Sequence, residues 1–359
     1  RFLAVVGPSG CGKSSLVRTG LLNALETGFL ASAGVCWRMA TLRPGNQPLR
    51  NLARALLVQE ALGPERGSDK NSEAFLLATL RRGPLGLVEI SKEVALPNNT
   101  NLLVLVDQFE EIFRYQQQYD INEADAFVAL LLASAAQNEV PLYVLITMRS
   151  DFLGDCTLFA GLPETLNDSQ FLTPRLTREQ LQEAIIGPAR VFGGEVEPAL
   201  VNRLLNDMGT DPDQLPLMQH ALMRLWNRAG RQSSVVLTVQ DYEDMGGLKE
   251  ALSRHADEAY EPLDETQKAI AETLFRSLCE RSAARRDTRR PVRLEDVAAV
   301  AGVTPEQVTP VVEVFRRRER SFLMPPANVP LSPDKIIDIS HESLIRQWQR
   351  LSGWVKAEA

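Results

Sequence analysis

The sequence predicts an α/β fold, with a parallel sheet covered by helices on both faces, followed by a small helical domain and then by helices with a β-wing. Three observations predict it. In the first 155 residues, strand-length apolar runs alternate with helix-period segments, the order that builds parallel sheets. Beyond Asp155 the strand signals almost vanish, and from Asp264 onward helices lead into two strand-like pieces joined by a turn-rich stretch. At 359 residues the chain is too long for one ordinary hydrophobic core, and boundaries are expected at 1–160, 161–262 and 263–359.

In the first segment, the expected strands are Phe2–Val6, Val35–Leu42, Leu102–Val106 and Leu142–Thr147, and the expected helices are Ser14–Leu25, Pro48–Leu62, Ser72–Leu80 and Ala124–Ala136. Thr177-Arg178-Glu179-Gln180 reads as a capping box opening a helix to about Ala189. Pro198–Asp207, Leu215–Trp226 and Asp241–Tyr260 continue the helical spacing, interrupted by a short β-prone run at Val235–Val239. The last segment predicts helices at Glu265–Arg281, Leu294–Val300 and Thr304–Arg318, with an Arg-rich loop at Arg285–Arg290. Strand-like Phe322–Met324 and Ile336–Ile339 follow, then a final helix over Glu342–Val355. Three helices plus a wing are the layout of a winged helix-turn-helix.

Composition narrows the function classes. Hydrophobic content of 44% and charged content of 24% are those of an average globular protein, and no run reaches the apolar length of a membrane span. The four cysteines are scattered, without a C-x-x-C pair, so neither a disulfide framework nor a zinc site is signalled, and a reducing cytoplasm is the expected compartment. A net charge of −7 argues against a generally basic nucleic-acid-binding surface. The chain starts inside an apolar strand without Met, signal or transit sequence, so it reads as a piece of a longer protein whose effector and sensor domains lie outside it.

The chemistry begins at Gly7-Pro8-Ser9-Gly10-Cys11-Gly12-Lys13-Ser14, which fits G-x-x-x-x-G-K-[ST] at every fixed position and lies between a buried strand and a helix. Glycines there let backbone N–H groups, continuing to Ser15, curl round phosphates; Lys13 reaches the β/γ oxygens and Ser14 ligates Mg²⁺. The motif alone leaves ATP and GTP open. Leu102-Leu103-Val104-Leu105-Val106-Asp107 is an apolar strand ending in a carboxylate suited to the same metal ion. Glu110 and Glu111 follow it, and either is placed to act on the attacking water, with Glu111 slightly preferred; the competing reading makes both surface carboxylates at a helix start. Arg149 ends the next strand, where a cation senses a γ-phosphate, unless it is a surface residue paired with Asp151; Arg43 ends another strand. His220 on an apolar helix reads as core, and His255 has no evident partner.

With these pieces placed, the chain resembles the STAND class of signal-transduction P-loop NTPases, AAA+-related proteins of NACHT/NB-ARC-like architecture, and within it the novel STAND NTPase group found between effector domains and WD-type repeats. The resemblance is carried by the phosphate loop, by Val104 to Glu111, by Arg149, by Leu215-Pro216-Leu217-Met218-Gln219-His220-Ala221-Leu222, and by Ile339-Ser340-His341-Glu342-Ser343-Leu344-Ile345. It implies that Pro216 packs on adenine and that His341 touches the β-phosphate of ADP in a resting state. The family pattern has Gly two residues before that Pro, where this chain has Gln214, though Asp211-Pro212-Asp213 reads as a turn able to place Pro216. On the residues alone, Pro216 is a first-turn helix proline and His341 a polar residue at a helix start capped by Ser340.

The implied function is an ATP/ADP switch with Mg²⁺, slow hydrolysis as a reset, self-association on activation, and control of an effector in signalling or defence. The alternatives are an AAA+ ATPase acting on DNA or protein, and a winged-helix DNA-binding regulator. Nucleic acid is the less favoured partner, because Thr304–Glu313 is rich in Pro, Val and Glu where a base-reading helix needs spaced basic and amide residues; the arginines of 285–290 and 316–320 read as solvated faces or protein contacts.

Overall fold

Five parallel strands form the central sheet. The computed structural model describes the chain except for residues 31, 32, 35, 63–71, 95, 96, 98, 119, 210–213, 231–234, 283, 284, 358 and 359. It forms two units, Arg1–Arg175 and Leu176–Ala359. In the first, β1 (Phe2–Gly7), β2 (Cys36–Leu42), β3 (Thr100–Val106), β4 (Leu142–Arg149) and β5 (Gln170–Leu172) lie in the order β2-β3-β4-β1-β5. All seven residues of β3 are buried, as expected of a strand covered on both faces. Its side chains alternate: Leu102, Val104 and Val106 join one core with Ala4, Val6, Val144 and Ile146, while Leu103 and Leu105 join another with Val5 and Leu145.

Helices cover both faces. On the second, α1 (Lys13–Ser15) runs through a π-helical stretch, Leu16–Leu21, into α2 (Leu22–Glu26), packing Val17 and Leu25 against the sheet. On the first face lie α3 (Pro48–Leu56), α4 (Ser72–Leu80), α5 (Gly86–Val94), α6 (Glu111–Gln118), α7 (Ile121–Ala136) and α8 (Leu162–Asp168), supplying among others Leu52, Leu76, Ile90, Phe113, Phe127 and Leu162. The helix expected over Pro48–Leu62 stops at Leu56, because the next residues cover the edge of β2: the Glu60 carbonyl accepts from Met39 N–H at 2.8 Å, and the Gln59 carbonyl from Arg38 Nη1 at 2.8 Å. Val35, the expected start of β2, lies outside the described residues. In this unit α5, α8 and β5 had no sequence expectation. α5 follows α4 across a short turn, and β5 is only three residues long, too short for an alternating pattern.

In the second unit, α9 (Arg178–Val191) opens on the expected capping box of Thr177 and Gln180. The pair β6 (Glu195–Val196) and β7 (Val236–Leu237) flanks α10 (Pro198–Asp207) and α11 (Gln214–Ala229), and α12 (Val239–Asp244) and α13 (Gly247–Tyr260) follow. The expected turn at Asp211-Pro212-Asp213 lies outside the described residues. The helix predicted over Glu265–Arg281 ends earlier, as α14 (Glu265–Ser277). Its remainder pairs antiparallel as β8 (Cys279–Ser282) with β9 (Arg285–Arg289), so the segment expected to be an Arg-rich loop is instead a strand over most of its length. There Arg289 is tied down, donating to Asp338 Oδ2 at 2.8 Å and the Ile339 carbonyl at 2.9 Å.

β10 (Val292–Arg293), α15 (Leu294–Ala301), α16 (Pro305–Arg316), β11 (Leu323–Met324) and β12 (Ile336–Ile339) follow, with an antiparallel sheet in the order β10-β12-β11. Arg316 is buried and donates to the carbonyls of Pro325, Pro326 and Val329, which fixes the turn-rich stretch between β11 and β12. The single final helix expected is two, α17 (Ser343–Gln347) and α18 (Gln349–Ala357), broken where Trp348 adopts φ −74° and ψ 105°. That break lets the fully buried Trp348 ring pack edge-on against Phe275 at 4.9 Å, while its indole N–H donates to Asp257 Oδ1 at 2.9 Å. One core, including Leu204, Leu225, Leu252, Leu274, Phe315 and Trp348, runs through the whole unit.

His255, expected to lack a partner, has one: its Nδ1 lies 3.2 Å from His220 Nε2, and Phe322 packs on both rings. Burial depresses both imidazoles, His220 to about 4 and His255 to about 3, with the nearby Arg224 charge adding to the effect. In the unfolded chain both titrate near the ordinary 6.5, so their contribution to stability is complete above that pH and is lost as the pH falls toward 4. Urea unfolding should show the second unit losing about 2 kcal/mol per ring between pH 7 and 4.5, and His255→Phe should remove its share of that loss.

Candidate nucleotide site

The carboxyl ends of β1, β3 and β4 line up at one edge of the sheet. Parallel register sets Gly7 opposite Arg149 and Val106 opposite Ile146, so that Asp107 and Thr147 emerge side by side just beyond the strands' buried middles. Ligands gather at this edge in open α/β sheets.

The loop between β1 and α1 is shaped by its glycines. Gly10 and Gly12 take φ of 75° and 91°, the left-handed region that a β-carbon disfavours. At Gly7 a β-carbon would stand 2.7 Å from Cys11 Sγ and 3.2 Å from Thr173 Cβ, so these side chains would have to shift to admit one. Lys13 is buried, and its ammonium donates to the carbonyls of Gly7 at 2.9 Å and Pro8 at 2.7 Å, bending the loop over its own side chain. Pro8, Ser9 and Cys11 are half-buried along this loop, whereas Ser15 is exposed.

Asp107 is the centre of the site. Its side chain is 1% exposed and accepts from three donors: Ser14 Oγ at 2.7 Å and Thr147 Oγ1 at 2.6 Å on Oδ1, and Arg18 Nη2 at 3.1 Å on Oδ2. Burial alone would push this carboxyl up, yet the Thr147 and Ser14 hydroxyls and the Arg18 and Arg43 charges outweigh it and hold the group below its ordinary range. Ser14 and Asp107 thus present hard oxygens side by side, a donor set that fits Mg²⁺. Among the described residues no group of three or more His, Cys, Asp or Glu is arranged to hold a metal ion.

The two glutamates separate. Glu111 Oε2 accepts from Gly45 N–H at 2.9 Å, anchoring the loop that follows β2. Glu110 Oε2 accepts from the Arg149 N–H at 3.3 Å at the tip of β4. Burial pushes the Glu110 carboxyl up to about 7, against the opposing pull of its own backbone N–H and of Lys13. Arg149 is 5% exposed and its guanidinium is paired with Asp151, while also lying 5.5 Å over the Phe152 ring. The pairing anticipated for a surface arginine therefore exists, but the arginine is buried. Arg43 stands exposed just past β2.

Sequence reasoning overlooked two residues. Arg18 is four residues after Ser14, hence on the same helical face, and Thr147 is a polar residue in an otherwise apolar run. The Thr147 hydroxyl also accepts from Gln108 N–H at 3.0 Å, and its carbonyl accepts from Phe109 N–H at 2.8 Å, which pins the bend at Gln108, where φ is +57°.

Two further candidates belong to the second unit. Pro216 is the third residue of α11, a position where a helix has no N–H bond to lose. His341 precedes α17, and its Nδ1, rather than Ser340, receives the Ser343 N–H at 3.1 Å. Because Nδ1 accepts that bond, the neutral ring carries its proton on Nε2.

The family model described as Novel STAND NTPase 1 matches residues 1–359. The chain belongs to that family. This STAND NTPase is a P-loop NTPase, as its glycine-shaped loop and buried acid require. Among solved structures it is similar to Cdc6p from Pyrobaculum aerophilum, at 14% identity and a TM-score of 0.42, and to the ADP form of the Aeropyrum pernix ORC2 protein, at 12% and 0.49. It is also similar to the Aeropyrum pernix ORC1 protein in complex with DNA, at 13% and 0.45; each comparison covers 99% of this chain and 88% of the other. No curated protein matches the STAND NTPase. No helix among its described residues is long and apolar enough to cross a membrane.

Thr147→Val should destabilise the first unit by about 1–3 kcal/mol at pH 7, because a buried carboxylate and the Gln108 N–H each lose a partner. The deficit should shrink as the pH falls through the carboxylate range, because Asp107, having lost a donor, protonates at a higher pH in the variant than in the parent, where it is held below its ordinary value. Denaturant melts at pH 7 and pH 3.5, with Thr147→Ser as the variant that keeps the hydroxyl, measure both effects.

Proposed function

We propose that this STAND NTPase is an ATP/ADP-dependent switch in which slow hydrolysis returns an active, self-associated form to a resting one, thereby controlling an effector carried by the same longer protein. The observation that carries the hydrolytic part is Glu110. A carboxyl held near 7 beside Lys13 and the tip of β4 has the proton affinity a general base needs at neutral pH. On this reading Glu110, not the slightly preferred Glu111, accepts the proton of the attacking water, and Glu111 shapes the Arg43-Pro44-Gly45 loop through its bond to Gly45.

The remaining roles follow the donor geometry. Backbone N–H groups from Gly10 to Ser15 and the Lys13 ammonium bind phosphate oxygens; Lys13 then exchanges its loop carbonyls for them. Ser14 and Asp107 hold Mg²⁺, which when bound neutralises phosphate charge. Arg149 reads the γ-phosphate in exchange for part of its pairing with Asp151. Pro216 is the adenine contact, and His341 offers its Nε2 proton to the β-phosphate of ADP. The division at 1–160, 161–262 and 263–359, with α14, α15, α16 and the β10-β12-β11 sheet as a winged helix, is part of the same proposal. Membership of the family supports these roles, and each nucleotide contact biases the switch only to the extent that ATP and ADP differ there.

Hydrolysis should rise with pH through about 7 and level off above it, since Glu110 must be ionised to accept a proton. Glu110→Gln should lose roughly 10²-fold or more and flatten that profile, whereas Glu111→Gln, which keeps an acceptor for Gly45, should remain within a few-fold. An unchanged profile in Glu110→Gln would remove Glu110 from the chemistry.

For the switch, protein denatured after purification should release bound ADP on chromatography, and His341→Ala should release nucleotide faster and self-associate more readily. Rapid steady-state turnover stimulated by DNA would overturn the switch in favour of a DNA-acting motor.

A further inference from the structure

The roles above leave Arg18 unused, although it touches the most buried carboxylate of the site. Asp107 has two oxygens with different duties. Oδ1 takes both hydroxyl hydrogens, from Ser14 and Thr147; Oδ2 takes the Arg18 guanidinium. Ser14 donates its single hydrogen to Oδ1, which leaves its lone pairs unused, so that bond is compatible with a metal ion on the hydroxyl oxygen. A divalent cation drawing on the Asp107 charge therefore meets a positive charge already seated on the other oxygen. The two partners also differ in freedom. The Asp107 side chain is 1% exposed and pinned by three donors, whereas Arg18 is 46% exposed on the π-helical stretch and can swing into water. If one of them yields, it is Arg18.

We infer that Arg18 is a resident counter-cation that competes with Mg²⁺ for Asp107, a reading that rests on the nucleotide site proposed above. At low Mg²⁺ the guanidinium stays paired with the buried acid. Rising Mg²⁺ displaces it. Arg18 is thus a positioning residue that sets the metal concentration at which the site changes occupancy, and it acts through Asp107 rather than through the nucleotide.

The test titrates a fluorescent ADP analogue into the purified chain at a series of Mg²⁺ concentrations and reads the concentration giving half of the metal's effect on affinity. Arg18→Gln and Arg18→Met, which remove the charge by different side chains, should each lower that midpoint roughly 2- to 5-fold, the range expected from a half-exposed ion pair. Arg18→Lys should stay within about twofold of the parent, and added salt should narrow the gap. Affinity in EDTA should change little in all three. A midpoint that stays in place or rises in both neutral variants overturns the inference. Parent protein that binds no nucleotide with or without Mg²⁺ overturns the site reading itself, a result distinguishable because it appears before any variant is compared.

Discussion

A buried carboxylate governs the first unit. Asp107 stands at the end of a strand that is apolar and covered on both faces, where an ionised group is expensive unless donors surround it. The donors come from three separate stretches of chain: Ser14 and Arg18 beyond β1, Thr147 at the end of β4, and the more distant charge of Arg43 past β2. Satisfying this acid therefore requires that β1, β3 and β4 finish at the same level of the sheet. The observed register does this.

The same edge sorts the other charges by environment. Lys13 folds onto its own loop, Arg149 is paired with Asp151, and Glu111 holds Gly45, so each of these groups has a partner at hand. Glu110 is held differently. Its half-buried carboxyl lies near 7, far above Asp107, although the two acids are three residues apart. Two nearby carboxyls thus shift in opposite directions, one held down by surrounding donors and the other pushed up by burial.

The second unit is built on one continuous apolar core, with ion pairs such as Arg289–Asp338 set around it. A single core runs from Ile185 to Val355, with the Trp348 ring among Phe275, Phe315 and Trp354. Two of its arginines are drawn inward to backbone carbonyls, Arg316 to the stretch between β11 and β12 and Arg289 to Ile339, so part of the apparent charge run is structural. The neutral His220–His255 pair adds a polar contact whose contribution depends on pH.

By itself the sequence determined the phosphate loop, the acid at the end of β3, the strand tip at Arg149, the parallel sheet with helices on both faces, and the family. Each of these is written in local pattern: glycines where φ must be positive, a lysine and a serine at fixed offsets, and apolar runs of strand length. Tertiary structure decided what depends on distant partners. It separated Glu110 from Glu111, because burial and the Gly45 loop are invisible in adjacent identical letters. It brought Thr147 and Arg18 to Asp107, paired His255 with His220, and ended α3 early so that residues 57–62 could cover the edge of β2. It also turned an arginine-rich segment into a strand and broke the last helix at Trp348. Periodicity reports which face of an element is apolar, whereas the choice of partner across the fold is made by packing and by the need to satisfy every buried polar group.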